Sequence, residues 1–133
     1  MKYLIDTDWV VHHLRGAKKI SKKLEQLAPE GMAVSMIALA ELYEGIYYSK
    51  DPVKDQQLLV EFLAPDLDVL TINQEICKIF GRERGKLRQQ KKTIDNFDLL
   101  IASTALHYNL TVLTNNRKHF ERVEGLKIIS LEE

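Results

Sequence analysis

A single cysteine, Cys77, is all this chain contains, so no internal disulfide can staple the fold, and the expected compartment is a reducing one. Cys77 falls among Ile76, Ile79 and Phe80, a helical spacing that reads as core filling. With three prolines and six glycines beside 45% hydrophobic and 29% charged residues, no low-complexity segment or linker stands out, which argues against disorder and against a fibrous class. Long apolar runs are missing too. Nothing approaches the roughly 18 residues needed to cross a bilayer, and the first residues enter a strand without a signal-peptide layout, so the expected location is cytoplasmic with no membrane partner. Net charge is absent as well: 19 basic residues balance 19 acidic ones, so only an uneven distribution can signal a nucleic-acid partner.

What is present is one domain's worth of alternating elements, residues 1–133. Lys2 to Ile5 reads as a short apolar strand and Trp9 to Leu14 as a helix capped by Asp8. Ala17 to Leu27 is a helix with Ile20, Leu24 and Leu27 on one face, ending at the turn composition Ala28-Pro29-Glu30-Gly31. Met32 to Met36 is a buried strand, and Ile37 to Tyr48 is helical. Ser49 to Pro52 interrupts the pattern, after which Gln56 to Leu63 resumes as a helix closed by Ala64-Pro65. Asp68 to Thr71 is a third strand and Gln74 to about Gln90 a long basic helix. Asp95 to Tyr108 is a helix, Thr111 to Thr114 a strand, the region of Phe120 a helical turn, and Lys127 to Ile129 a last strand. Short strands separated by helices predict an α/β fold: a short central parallel sheet covered on both faces, because parallel connections need a crossover of about a dozen residues.

Three acids stand where acids are costly. Asp6 ends the first strand, and ligands of open parallel sheets bind outside the carboxyl ends of strands. Asp6, Thr7 and Asp8 could all cap the next helix, but a cap needs only one of them, and Asp8 is assigned to it. In MIALAELYEGI, Glu41 shares a helical face with Ile37, Ala38 and Gly45, where a buried carboxylate costs several kcal/mol unless a cation meets it. In IDNFDLLIASTAL, Asp98 precedes Ala102 and Ala105 on the inward stripe. Asp95 and Asp98 also resemble a capping pair, which helix polarity favours by about 0.3 to 1 kcal/mol. Three inward acids repel one another without a cation, and oxygen ligands alone imply a hard one, magnesium or manganese. Such an ion binds phosphate oxygens and activates water, which points to phosphoryl or phosphodiester chemistry. The four histidines, His12, His13, His107 and His119, read as surface or core residues.

These segments resemble PIN-domain ribonucleases, specifically the VapC toxins of toxin–antitoxin pairs. Tyr3-Leu4-Ile5-Asp6-Thr7-Asp8 is similar to the family's opening hhhDTN or DTS, and MIALAELYEGI to its S-x-x-x-x-E-L-x-x-G segment. Phe97-Asp98-Leu99-Leu100-Ile101-Ala102 matches F-D-x-L-I-A. Thr114-Asn115-Asn116-Arg117-Lys118-His119-Phe120 resembles T-N-[ND]…F, and Val123-Glu124-Gly125-Leu126 resembles the V-x-G-L tail. The resemblance implies a PIN-like three-layer fold with Asp6, Glu41 and Asp98 as catalytic, metal-binding carboxylates. It also implies an RNA substrate and a cognate antitoxin protein, with a homodimer as the expected assembly. Two departures stand out. Asn116, with His119 nearby, occupies the place where many members carry a fourth acid, so a second metal is in doubt; Asp95 could compensate in charge. Asp8 replaces Asn or Ser, which could add charge to the site or cap the helix, and the cap is the preferred reading. Thr7 and Thr114 lie beside the strand ends and could hydrogen-bond a carboxylate or a phosphate.

In GRERGKLRQQKK, Arg82, Arg84, Lys86, Arg88, Lys91 and Lys92 face Glu83 alone, a local excess that attracts a phosphate backbone without reading sequence. Arg82, Arg84, Lys86 and Arg88 are the candidate RNA contacts; Lys18, Lys19, Lys22 and Lys23 form a lesser patch. Tyr43, Tyr47 and Tyr48, near Phe62 and Leu63, read either as core or as an interface for a dimer or an antitoxin peptide. Two rivals remain. A haloacid-dehalogenase-type phosphatase shares D-x-D-x-[TV] through Asp6, Asp8 and Val10, but its later motif order fails, since no Asp follows Thr114. The other is a PIN-like binding module that retains the fold but has lost turnover with its fourth acid.

Overall fold

The computed structural model describes residues 1–64 and 66–131; the Pro65 expected to close a helix lies outside them. Strands β1 (Tyr3–Ile5), β2 (Met32–Ser35), β3 (Asp68–Leu70), β4 (Thr111–Leu113) and β5 (Ile128–Ile129) form one sheet in the order β3-β2-β1-β4-β5. All four pairings are parallel. Seven helices connect them: α1 (Thr7–Leu14), α2 (Lys18–Leu27), α3 (Met36–Tyr47), α4 (Pro52–Leu63), α5 (Gln74–Gln89), α6 (Asn96–Tyr108) and α7 (Arg117–Phe120). This is the three-layer α/β architecture that the alternation of elements predicts.

β1 lies at the centre and all three of its side chains are buried. Its alternation divides the interior into two cores. Leu4 joins Leu87, Leu99, Val112 and Phe120 on the face covered by α5, α6 and α7. Tyr3 and Ile5 join Trp9, Leu24, Leu42 and Leu59 on the face covered by α1 to α4. From β1 the chain works outward to β2 and β3; it then returns to the other side for β4 and β5. The β1–β4 boundary is therefore the topological switch point, where a crevice opens at the carboxyl ends of the strands.

The expected elements are all present, with local differences. α4 begins at Pro52, four residues before the expected start, because Pro52 takes the first helical turn and the Asp51 carboxylate accepts a bond from the Lys54 N–H at 3.2 Å. A proline that would break a helix interior is favourable in that position. Cys77 does not fill the core: it is exposed. The inward stripe of α5 runs through Ile76, Glu83 and Leu87, and a residue adjacent to Ile76 is turned about 100° away from it. Tyr43, Tyr47 and Tyr48 are on the surface, the last two 77% and 78% exposed, together with Val53 at 80%. The core reading of those tyrosines is therefore wrong. Among the described residues no helix is long and apolar enough to cross a membrane.

Candidate active site

The site is built outward from the end of β1. The Asp6 backbone N–H donates to the carbonyl of Leu113, the last residue of β4, at 2.9 Å, carrying the β1–β4 ladder one residue past the end of β1. That bond fixes Asp6 at the crevice, 4% exposed. Asp6 also holds the N-cap position of α1, yet its side chain caps nothing; its Oδ2 instead accepts a bond from Thr114 Oγ1 at 2.8 Å. A hydroxyl has one proton to give, and Asp6 takes it. Thr114 Oγ1 in turn accepts from the Asn116 N–H at 2.9 Å, so the loop after β4 is ordered around the Asp6 carboxylate.

Asp8 corrects the sequence reading. α1 begins at Thr7, so Asp8 lies inside the first turn and cannot be the cap. Its Oδ2 accepts from the Asn115 N–H at 3.0 Å, and its Oδ1 stands 3.3 Å from Thr114 Oγ1. The side chain thus faces the same crevice as Asp6. Asp95 needs a similar correction: it holds the N-cap position of α6 without a side-chain cap bond.

Glu41 and Asp98 reach the crevice from opposite layers. Thr7 Oγ1 donates to Glu41 Oε1 at 2.8 Å, tying α1 to α3. Glu41 is half-buried rather than inward, and Gly45, expected on its buried face, is exposed with nothing within 4 Å of the place of a Cβ. Asp98, in the first turn of α6, accepts a bond from Asn116 Nδ2 at 3.4 Å. His119, which reads as an isolated residue in the sequence, belongs to this edge of the site: its Nδ1 is 3.0 Å from Asn116 Nδ2 and 3.9 Å from Asp98 Oδ2.

Asp6, Thr7, Asp8, Glu41, Asp98, Asn115 and Asn116 line one cleft of about 430 Å³. Four carboxylates share it and no Lys or Arg lines it. The electrostatic consequence is uniform in sign. Burial, and then the charge of Asp8, push the Asp6 carboxyl up to about 7, against the Thr114 hydrogen bond. Burial, then Asp95 and Glu41, push Asp98 up to about 6. Burial is also the main cause that raises Asp8 and Glu41. Asp95 is exposed and outside the lining, but its charge acts on both Glu41 and Asp98.

A hard divalent cation fits this donor set, which is all oxygen and lacks a positive counter-charge. Among the described residues no three His, Cys, Asp or Glu side chains close on one point as a preformed cage. The fit is therefore to a hard divalent ion that keeps part of its water shell.

Residues 3–126 match the PIN domain. The chain belongs to the PIN domain family. Ribonuclease VapC2 of Rickettsia felis is 36% identical over 128 residues, 95% of each chain. Ribonuclease VapC1 of Haemophilus influenzae is 32% identical over 129 residues, 96% of each. The crystal structure of VapBC2 from Rickettsia felis bound to a DNA fragment from its promoter contains a chain that superposes with a TM-score of 0.91 at 34% identity, covering 99% of this chain and 100% of that one. This PIN domain is of the VapC type, and ribonucleases built on the domain depend on a divalent metal.

The basic side chains of α5 are largely committed within this PIN domain. Glu83 is buried, and its Oε2 takes Arg82 Nε at 2.9 Å and Lys86 Nζ at 3.3 Å. Arg84 donates to the Ile94 carbonyl at 3.0 Å and to Asn96 Oδ1 at 2.6 Å, pinning the loop that delivers Asp98. Arg88 is exposed. None of the four lines the cleft. Of the two roles its departure from Asn or Ser suggests for Asp8, the structure has the one that was not preferred, charge in the site, and Asn115 is a lining residue to which the sequence assigns no role.

Proposed function

We propose that the chain is a metal-dependent endoribonuclease of the VapC type, which cleaves RNA phosphodiester bonds with an activated water and is neutralised by a cognate antitoxin protein. The observation that carries this reading is the meeting of four carboxylates, from the end of β1 and from α1, α3 and α6, at the sheet's switch point with no basic residue in the lining. Asp6, Glu41 and Asp98, joined by Asp8, are the residues that would hold the cation. When bound, a hard divalent ion supplies Lewis-acid stabilisation to phosphoryl oxygens and lowers the pKa of water.

The protein's own groups do the positioning. Thr114 fixes the rotamer of Asp6, Thr7 holds Glu41, and Asn116 steadies Asp98. Asp95 adds negative charge from outside the lining, which strengthens the demand for a cation. Magnesium is the cation best suited to an open, partly hydrated carboxylate set, with manganese able to substitute. An amide at Asn116 favours a single ion over a pair. Arg88 is the α5 candidate best placed to meet a phosphate, because Arg82, Arg84 and Lys86 have partners. The exposed Tyr47, Tyr48 and Val53, on and beside α3 and α4, suit burial by an antitoxin or a second copy.

The test is cleavage of labelled RNA by purified protein in magnesium, in manganese and in chelator, beside Asp98→Asn. Cuts that need the cation and vanish in the variant are expected. Equal cutting by both proteins would sink the assignment, and metal binding without cutting would favour the binding module.

A further inference from the structure

We propose that the cavity at the start of α2, with His12, Lys18, Lys19 and Asn115 as its polar lining, carries the phosphate backbone of the RNA strand into the acidic cleft. The inference rests on the ribonuclease reading and adds the route by which substrate arrives. The cavity has a volume of about 590 Å³, and among the described residues no carboxylate lines it. Asn115 also lines the acidic cleft, so the two spaces meet at that residue.

A polyanion approaching four carboxylates is repelled unless cations offset them nearby, within a screening length of about 8 to 10 Å. Lys18 and Lys19 are exposed, and neither forms a salt bridge with a described residue. On α5 the situation is reversed. Arg82 and Lys86 neutralise buried Glu83, and Arg84 is tied to Ile94 and Asn96. Lys18 and Lys19 thus carry charge that no described residue neutralises, and they line a cavity that adjoins the cleft at Asn115, which none of Arg82, Arg84 and Lys86 does. On α2, Ile20, Leu24 and Leu27 pack inward, which leaves Lys18 and Lys19 to face outward. Lysine is a point charge on a flexible stem, so these contacts hold a backbone without selecting bases.

The experiment measures binding of a labelled single-stranded RNA in chelator across a salt series, and steady-state cleavage in magnesium, for wild type, K18A/K19A, K18R/K19R and R88A. Each lost phosphate contact makes the log–log salt dependence shallower by about 0.7 on a single strand, so K18A/K19A is expected to flatten it by about 1.4. Its KM rises while kcat is retained, and K18R/K19R behaves as wild type because charge rather than shape is needed. A K18A/K19A protein with the wild-type salt slope and KM overturns the route while leaving the nuclease intact. Flattening by R88A alone puts the strand over α5 and overturns it too. A wild type that cuts no RNA in any divalent cation removes the ribonuclease reading and the route together.

Discussion

Asp6 bears the largest electrostatic burden in the cleft, because it is nearly inaccessible to water and has Asp8 as its neighbour. Replacing it with Asn keeps an acceptor for Thr114 and removes the charge that burial opposes. Asp6→Asn is therefore expected to abolish RNA cleavage and yet to stabilise the metal-free protein at pH 8 by about 1 to 3 kcal/mol, one pKa unit being worth about 1.4 kcal/mol. Urea denaturation in chelator reads this directly, and a lower midpoint for the variant would refute it. Cys77→Ser, on the solvent side of α5, should shift the midpoint by less than about 0.5 kcal/mol, whereas a core cysteine would cost more. At this scale the sequence exposes Asp6, Glu41 and Asp98 because each is a carboxylate in an apolar setting. It leaves Asp8 between a cap and a site residue, because that choice depends on α1 starting at Thr7 rather than at Trp9. A shift of two residues, within the ordinary uncertainty of helix ends, turns a cap into a lining residue.

Asn115 joins elements that no local pattern connects. Its Oδ1 accepts from Trp9 Nε1 at 2.9 Å and from the Leu131 N–H at 2.9 Å, while its own N–H holds Asp8. Ser130 Oγ adds a bond to the Thr114 carbonyl at 2.6 Å. The chain after β5 is thereby latched to α1 and to the loop that carries the site. Asn115→Ala removes the acceptor and strands the indole N–H of a fully buried Trp9, a loss of about 1 to 3 kcal/mol. Trp9 is the only tryptophan, so its fluorescence reports the transition, and an unchanged urea midpoint would show that the latch carries no stability. Helical and strand periodicity marked the helices and strands, α2 from Ile20, Leu24 and Leu27 among them, though not the starts of α1 and α4. They could not reveal this latch, because a bond spanning 106 residues between Trp9 and Asn115 leaves no spacing to read. The same limit applies to Arg84, whose place in a basic run suggested RNA while its bonds to Ile94 and Asn96 are structural.

Across the whole molecule, formal charge sums to zero but is unevenly placed, with four acids in a cleft that no basic residue lines. The parallel sheet was foreseeable from the alternation of elements; the order β3-β2-β1-β4-β5, which makes the β1–β4 boundary the crevice, was not, since pairing depends on which hydrophobic faces meet. That crevice sets the response to pH. Asp6 and Asp98 have folded-state values of about 7 and about 6, above the unfolded carboxylate value, so between about pH 4 and 7 the native state holds more protons than the unfolded chain. Stability then falls as pH rises through that window. His13, lowered by burial, acts in the opposite direction, because its proton binds more readily to the unfolded chain. The contrast between wild type and Asp6→Asn isolates the cleft: in chelator, the loss of stability from pH 5 to pH 8 should be smaller in the variant. A divalent cation binds the ionised carboxylates and competes with protons at low pH, so magnesium should raise the melting temperature more at pH 8 than at pH 5, in proportion to its binding to the native state. Calorimetry with and without magnesium at both pH values measures all of this: identical pH profiles for wild type and Asp6→Asn in chelator would mean that burial does not hold the Asp6 proton, and an equal cation effect at the two pH values would mean that the cleft acids do not share an ion.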